Sequence, residues 1–201
     1  MRRSLLLLSL ALGVLALCRP RSSSHDVDAG TAVRLDVSQL AERADLVLEA
    51  RVLSASAALG AGNLVETEVV LDVERTLYGV HEPTRSVHLP GGLLPNGNGL
   101  LLPGMPSLQP GEDVLLFLSE ASDSGVRMPV GLSQGKFRVE TNLSGARRLR
   151  RSHGSLTTVP AGGGALWDST GDEVFDYAAT LAEVHAALSL RPPVSAPEGD
   201  E

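Results

Sequence analysis

Val65-Glu66-Thr67-Glu68-Val69-Val70-Leu71-Asp72-Val73-Glu74 alternates more regularly than any other stretch of this chain. Val65, Thr67, Val69, Leu71 and Val73 fall on one side, and Glu66, Glu68, Asp72 and Glu74 on the other, with Val70 the exception. Successive side chains on a strand point to opposite faces. The pattern therefore predicts a half-buried antiparallel strand with one dry face and one wet face. Its outward carboxylates read as a solvated face, because residues two apart on a flat strand do not converge as a calcium site requires.

Working outward from this strand, Gly60-Ala61-Gly62-Asn63 predicts a turn, and residues 46–54 before it a strand. Residues 36–45 predict a short helix capped by Asp36 or Ser38, with Val37, Leu40, Ala41 and Ala44 on one side. Downstream, residues 85–89 read as a third strand. Residues 90–111 are dense in Gly, Pro and Asn and read as a long functional or mobile loop. The apolar run Val114-Leu115-Leu116-Phe117-Leu118 predicts the most buried strand. Residues 126–130 predict an edge strand limited by Pro129, and residues 134–140 a further strand. Short strands at 156–159 or 165–167 are weaker signals. Thr170 and Glu173 match a capping box, which predicts a helix over 172–188 with Leu181, Val184 and Leu188 in its apolar stripe.

No β-α-β alternation occurs, which argues against a parallel sheet. The expected fold class is mainly β: a small antiparallel barrel, OB-like, or a rolled sheet, with a short N-terminal helix and a C-terminal helix. The domain reading is a signal peptide at 1–18, a flexible linker at 19–35, a single β-barrel domain at 36–190 and a disordered acidic tail at 191–201.

Arg2 and Arg3 precede an apolar run that ends at Cys18, the only cysteine among 201 residues. The run is shorter than the roughly 20 apolar residues of a membrane span and has the order of a secretory signal. The expected location is exported: periplasm, outer membrane if lipidated, or extracellular. Leu15-Ala16-Leu17-Cys18 resembles a bacterial lipobox with Leu17 in place of a small residue. Cys18 thus has two open roles, a candidate lipid attachment or a residue at the cleavage site. With one cysteine, no internal disulfide can form. The only membrane contact expected is through a lipid on Cys18.

The net charge of −7 argues against nucleic acid as a partner. Arg147, Arg148, Arg150 and Arg151 form the one basic cluster, lack neighbouring aromatics, and read as a solvated loop. His25, His81, His88, His153 and His185 show no metal-ligand spacing, and His185 reads as a packed or snorkelling residue at the border of the last helix's apolar stripe. No catalytic, metal or cofactor residues are predicted. The segment that stands out is Gly131-Leu132-Ser133-Gln134-Gly135-Lys136, which carries the only lysine. Its plain reading is a hairpin connection with left-handed glycines. Its functional reading is a recognition loop (Gly131, Ser133, Gln134, Gly135, Lys136) that works with loop 90–111 at one end of the barrel.

Several motifs occur in order: residues 44–52 (ADLVLEARV), 73–79 (VERTLYG), 87–92 (VHLPGG), 110–118 (PGEDVLLFL) and 130–139 (VGLSQGKFRV). Over about residues 38–140 they resemble an uncharacterised family of exported bacterial domains found alongside matrixin-type metalloproteases. A more distant likeness is to the netrin-like OB-fold domain of tissue metalloprotease inhibitors. There an N-terminal cysteine reaches the protease zinc and disulfides brace it, whereas here Cys18 has no partner cysteine. The resemblance implies a non-enzymatic exported module that recognises another exported protein, a secreted metalloprotease being the suspected partner. The alternatives are a structural envelope lipoprotein and a hydrolase accessory subunit. The sequence leaves the oligomeric state open.

Overall fold

The computed structural model describes residues 30–154, 156–159 and 171–192. In chain order the strands are β1 Gly30–Val33, β2 Leu46–Leu59, β3 Val65–Tyr78, β4 Thr84–Pro90, β5 Gly92–Leu93, β6 Gly99–Leu100, β7 Asp113–Leu118, β8 Lys136–Thr141, β9 Arg147–Arg151, β10 Leu156–Val159 and β11 Glu173–Asp176. The helices are α1 Val37–Arg43 and α2 Tyr177–Leu188. Seven strands form one antiparallel sheet in the order β11-β9-β8-β7-β2-β3-β4. Its two end strands do not pair with each other, so among the described residues the sheet is open and no closed barrel forms.

The alternating stretch that opens the sequence is the centre of β3. Val69, Leu71 and Val73 are buried, and Glu68, Asp72 and Glu74 are exposed. β2 runs to Leu59, beyond the expected end at residue 54, and bulges near Val52 as it follows β3. β7 has Val114 through Leu118 at most 1 % exposed, because apolar clusters cover both of its faces. On one face Val47, Leu115, Phe117 and Phe137 meet Leu40 and Ala41 of α1 and Leu181 and Val184 of α2. On the other, Leu46, Leu48, Leu116 and Leu118 meet Leu71, Val87 and Leu108. Each such side chain contributes about 1.5–3 kcal/mol on burial, which suits a fold without a disulfide.

Several expectations are corrected. Residues 126–130 form no strand; they make single bridges from Val126 to His88 and from Pro129 to Leu118. Pro129 lacks the N–H a ladder needs. Gln134 and Gly135 belong to a 3-10 turn, Leu132–Gly135, and the strand starts at Lys136. The arginine cluster is strand β9, not a solvated loop, and Arg151 is buried. Glu173 lies on β11 instead of in a helical first turn. Helix α2 begins at Tyr177, with the Asp176 carboxylate accepting from the Ala179 N–H at 2.8 Å. Asp36 does cap α1, in a reciprocal box with Gln39. Gly30–Val33, expected in the linker, pairs in parallel with β10. Cys18 and the signal segment, Thr170, residues 165–167 and the tail from 193 lie outside the described residues.

Candidate functional site

Loop 90–111 and the 131–136 turn meet along one wall of a cleft of about 440 Å³. Met105, Pro106, Ser107 and Gln109 come from the loop, Ser133 and Lys136 from the turn and the start of β8. Glu112 before β7, Arg138 of β8, Arg150 of β9, the 152–154 segment and Asp172 form the rest.

The turn is held in place by its own inward side chains. Gly131 has φ 67°, and Leu132 follows at φ 61°, a left-handed conformation that strains a residue bearing a Cβ. Gly135 is required for another reason: a Cβ there would lie 2.5 Å from the Val130 carbonyl oxygen. Gln134 is fully buried. Its Oε1 accepts from the Leu35 N–H at 2.8 Å, and its Nε2 donates to the Val33 carbonyl at 3.0 Å and the Gly131 carbonyl at 3.2 Å. The Ser133 hydroxyl is also buried and donates to the carbonyl of His153 at 3.0 Å. Of the five residues expected to form a recognition loop, Ser133, Gln134 and Gly135 are thus turned inward. Gln134 ties the chain before α1 to the turn, and Lys136 reaches the cleft wall.

Lys136 Nζ donates to Glu112 at 2.7 Å and to the Ser107 carbonyl at 2.5 Å, which anchors the long loop to β8. Arg138 pairs with the other Glu112 oxygen. Burial lowers the Lys136 ammonium pKa more than Glu112 raises it. Burial also pushes the Glu112 carboxyl up, but the bonds from Lys136, Arg138 and the Gln109 N–H together hold it below the ordinary value. Arg150 donates to Glu140 at 2.7 Å and to Asp172 at 3.1 Å. The cleft wall therefore carries Lys136, Arg138 and Arg150 against the carboxylates of Glu112 and Asp172.

His153 also lines the cleft. It is 1 % exposed, and among the described residues neither ring nitrogen has a hydrogen-bond partner. Its Nε2 lies 3.3 Å from Glu173 Oε2 but outside hydrogen-bond geometry. Burial lowers the imidazole pKa, Arg151 adds to that, and Glu173 opposes it. The ring is therefore neutral at neutral pH, one nitrogen a donor and the other an acceptor. Glu173 is engaged elsewhere: Arg151 Nε donates to it at 2.9 Å, and Arg34 pairs with it as well. The buried Arg151 guanidinium packs against the paired rings of Phe137 and Phe175, 5.3 and 5.0 Å from their centroids. Nothing in the sequence distinguishes His153 from the other histidines, because its desolvation comes from β11 and the turn, both distant along the chain.

Glu49 forms a separate cluster beneath α2. It is 1 % exposed and accepts from Arg75 Nε at 3.0 Å, from the Tyr177 hydroxyl at 2.8 Å, and from Arg147. Burial, together with Glu49, pushes the Tyr177 phenol up to about 12. The outward acids of β3 find partners across the sheet: Glu66 lies 3.6 Å from His88, Glu68 accepts from Ser86 at 3.0 Å, and Glu74 pairs with Arg147. His185 is exposed on α2.

Among the described residues no cluster of His, Cys, Asp and Glu is arranged to hold a metal, and no helix is long and apolar enough to cross a membrane. No family model, curated protein or solved structure matches the chain.

Proposed function

We propose that this chain is an exported, non-enzymatic binding module that holds a segment of another exported protein in the cleft between loop 90–111 and strands β8 and β9. The observation that carries this reading is His153. A buried imidazole with both nitrogens unpaired costs stability, of order 1–3 kcal/mol per unsatisfied group, and it lines the cleft where a ligand could satisfy it. The basic side chains outnumber the acidic ones on the same wall, so the segment that fits carries a carboxylate beside groups able to hydrogen-bond the imidazole. The strained Leu132, directly before Ser133 of the cleft wall, supports the same reading, since backbone strain is retained where surrounding structure and function demand it.

A binding role is preferred over hydrolysis because the Ser133 hydroxyl is spent on the His153 carbonyl and is not directed at the imidazole, as a nucleophile would be. A secreted metalloprotease is the partner suggested by the resemblance to exported domains accompanying such enzymes. Export itself rests on Arg2, Arg3 and the apolar run before Cys18.

The test is capture of proteins from the secreted fraction of the source cells, followed by calorimetry with the purified partner. Wild type should bind. Lys136→Ala and His153→Leu should each weaken binding at least tenfold while keeping the native circular dichroism spectrum. Unchanged capture by both variants would remove the cleft from the interface. Labelling cells with a palmitate analogue, in wild type and Cys18→Ser, decides between the two roles of Cys18.

A further inference from the structure

The inner half of β2 is paired on both sides, with β3 on one and β7 on the other; among the described residues the outer half is not. β7 covers only Leu46 to Arg51. Val52 donates to the Glu112 carbonyl and accepts from the Gly111 N–H, both at 2.8 Å, and the pairing on that side then stops. β3 continues alongside β2 as far as Leu59, and Gly60 closes the hairpin by donating to Leu64 at 2.8 Å. In an antiparallel ladder, inward and outward hydrogen-bonding residues alternate. With Gly60 directed at β3, Ser54, Ser56 and Ala58 also face β3, and the N–H and C=O groups of Ala55, Ala57 and Leu59 point out from the sheet edge.

This edge reads Leu53-Ser54-Ala55-Ser56-Ala57-Ala58-Leu59, without a charge or a proline. Sheet edges are normally protected by lysine, proline, a bulge or a covering segment. The bulge here lies at the base of the free stretch, before Ser54. The two end strands of the seven-stranded sheet are protected. β4 carries Arg85 and Pro90 and is covered where Arg127 donates to the His88 carbonyl. β11 is four residues long, carries Glu173 and Asp176, and runs directly into α2. Exposed leucines surround the free edge: Leu53, Leu59, Leu64, Leu93 and Leu101 are each at least half exposed.

We propose that the outer half of β2 is a homodimer interface, at which two copies of the chain pair edge to edge and antiparallel about a twofold axis at Ala57. That register places Ala57 opposite its counterpart, Ala55 opposite Leu59 of the second copy, and Ser56 opposite Ala58 of the second copy. The outward backbone groups of Ala55, Ala57 and Leu59 on both copies are then satisfied together, and no charge or bulky pair meets across the seam. The faces agree as well. Ala55 and Ala57 line an apolar groove of about 370 Å³ that also includes Leu93, Leu101 and Met105. Residues directly opposite in a ladder share a face, so Leu59 of each copy lies over the groove of the other. A second copy therefore supplies both the missing strand and an apolar side chain for the groove.

Sedimentation velocity over a dilution series of the mature chain tests this. Wild type should shift from one-copy to two-copy mass as concentration rises, and its melting temperature should rise with concentration. Ala57→Pro removes an N–H that has no internal partner, so it should stay at one-copy mass throughout. Ser56→Lys with Ala58→Lys sets like charges across the seam without altering the backbone and should do the same. A wild type that remains monomeric at every concentration would overturn the proposal, even if a peptide of another protein binds the edge. Variants that dimerise as well as wild type would overturn it too. The edge is distinct from the His153 cleft, so Ala57→Pro should retain binding of the cleft partner, and failure of either idea leaves the other standing.

Discussion

His153 and Gln134 are both buried and polar, and they differ in what they satisfy. Gln134 uses its amide to serve Leu35, Val33 and Gly131. Gln134→Ala would strand the buried Leu35 N–H and the part-buried Val33 carbonyl, so it should lower the unfolding free energy by roughly 1–3 kcal/mol. Urea titration measures this, and hydrogen exchange at Leu35 should accelerate with it. The His153 imidazole makes no hydrogen bond among the described residues. Replacing an unsatisfied polar side chain by an apolar one of similar size removes a penalty, so His153→Leu should leave stability unchanged or raise it by about 1 kcal/mol. A loss of several kcal/mol in the ligand-free protein would show the imidazole to be structural. Leu132→Gly should also stabilise the fold, by roughly 1 kcal/mol, because glycine adopts φ 61° without strain.

At the scale of elements, the Glu49 cluster links strands far apart in sequence. Glu49 sits on β2, Arg75 on β3, Arg147 on β9, and Tyr177 at the start of α2. Glu49→Ala takes the shared carboxylate from Arg75, Arg147 and Tyr177, and Arg147 keeps Glu74. The charged hydrogen bonds lost are each worth about 1.5–3 kcal/mol. Denaturant unfolding should show that loss, with α2 exchanging its amides first. Tyr177→Phe removes one hydroxyl and keeps the ring under Arg147, which lies 4.5 Å from its centroid, so about 1–2 kcal/mol is expected. Most elements were legible from periodicity alone: β3 by alternation, β7 by its continuous apolar run, α1 by its Asp36 cap. The start of α2 was misread because Thr170 and Glu173 imitate a capping box, while pairing with β9 draws Glu173 into a strand. β9 was missed because an arginine run has the composition of a solvated loop. It forms because Glu140, Glu173 and Glu49 neutralise the guanidinium groups from other strands.

For the whole molecule, pH reports the balance of these buried groups. The His153 pKa lies below its ordinary 6.5 in the folded chain, so the unfolded chain binds a proton first as pH falls. Stability is then full above about 6.5 and begins to fall below it. Glu112 and Glu173 have lowered pKa values from an ordinary 4.5, so their contribution is present above 4.5 and is lost as pH falls through the folded values. The urea midpoint should therefore decline in two stages on acidification, and His153→Leu should abolish only the upper stage. A midpoint flat from pH 7 to about pH 5 in wild type would contradict the burial of His153.

The sequence by itself determined the β character of the chain, its two helices and the burial of 114–118. All of these are local patterns that a short window of residues carries. Tertiary structure alone decided that the sheet stays open, that the arginine run becomes a paired strand, and that the 131–136 turn faces inward. It also decided that His153 is desolvated beside loop 90–111 and that, among the described residues, the outer half of β2 lacks a neighbour. Those outcomes depend on which segments meet across long sequence separations, because desolvation, ion pairing and an unpaired edge belong to neighbours in space.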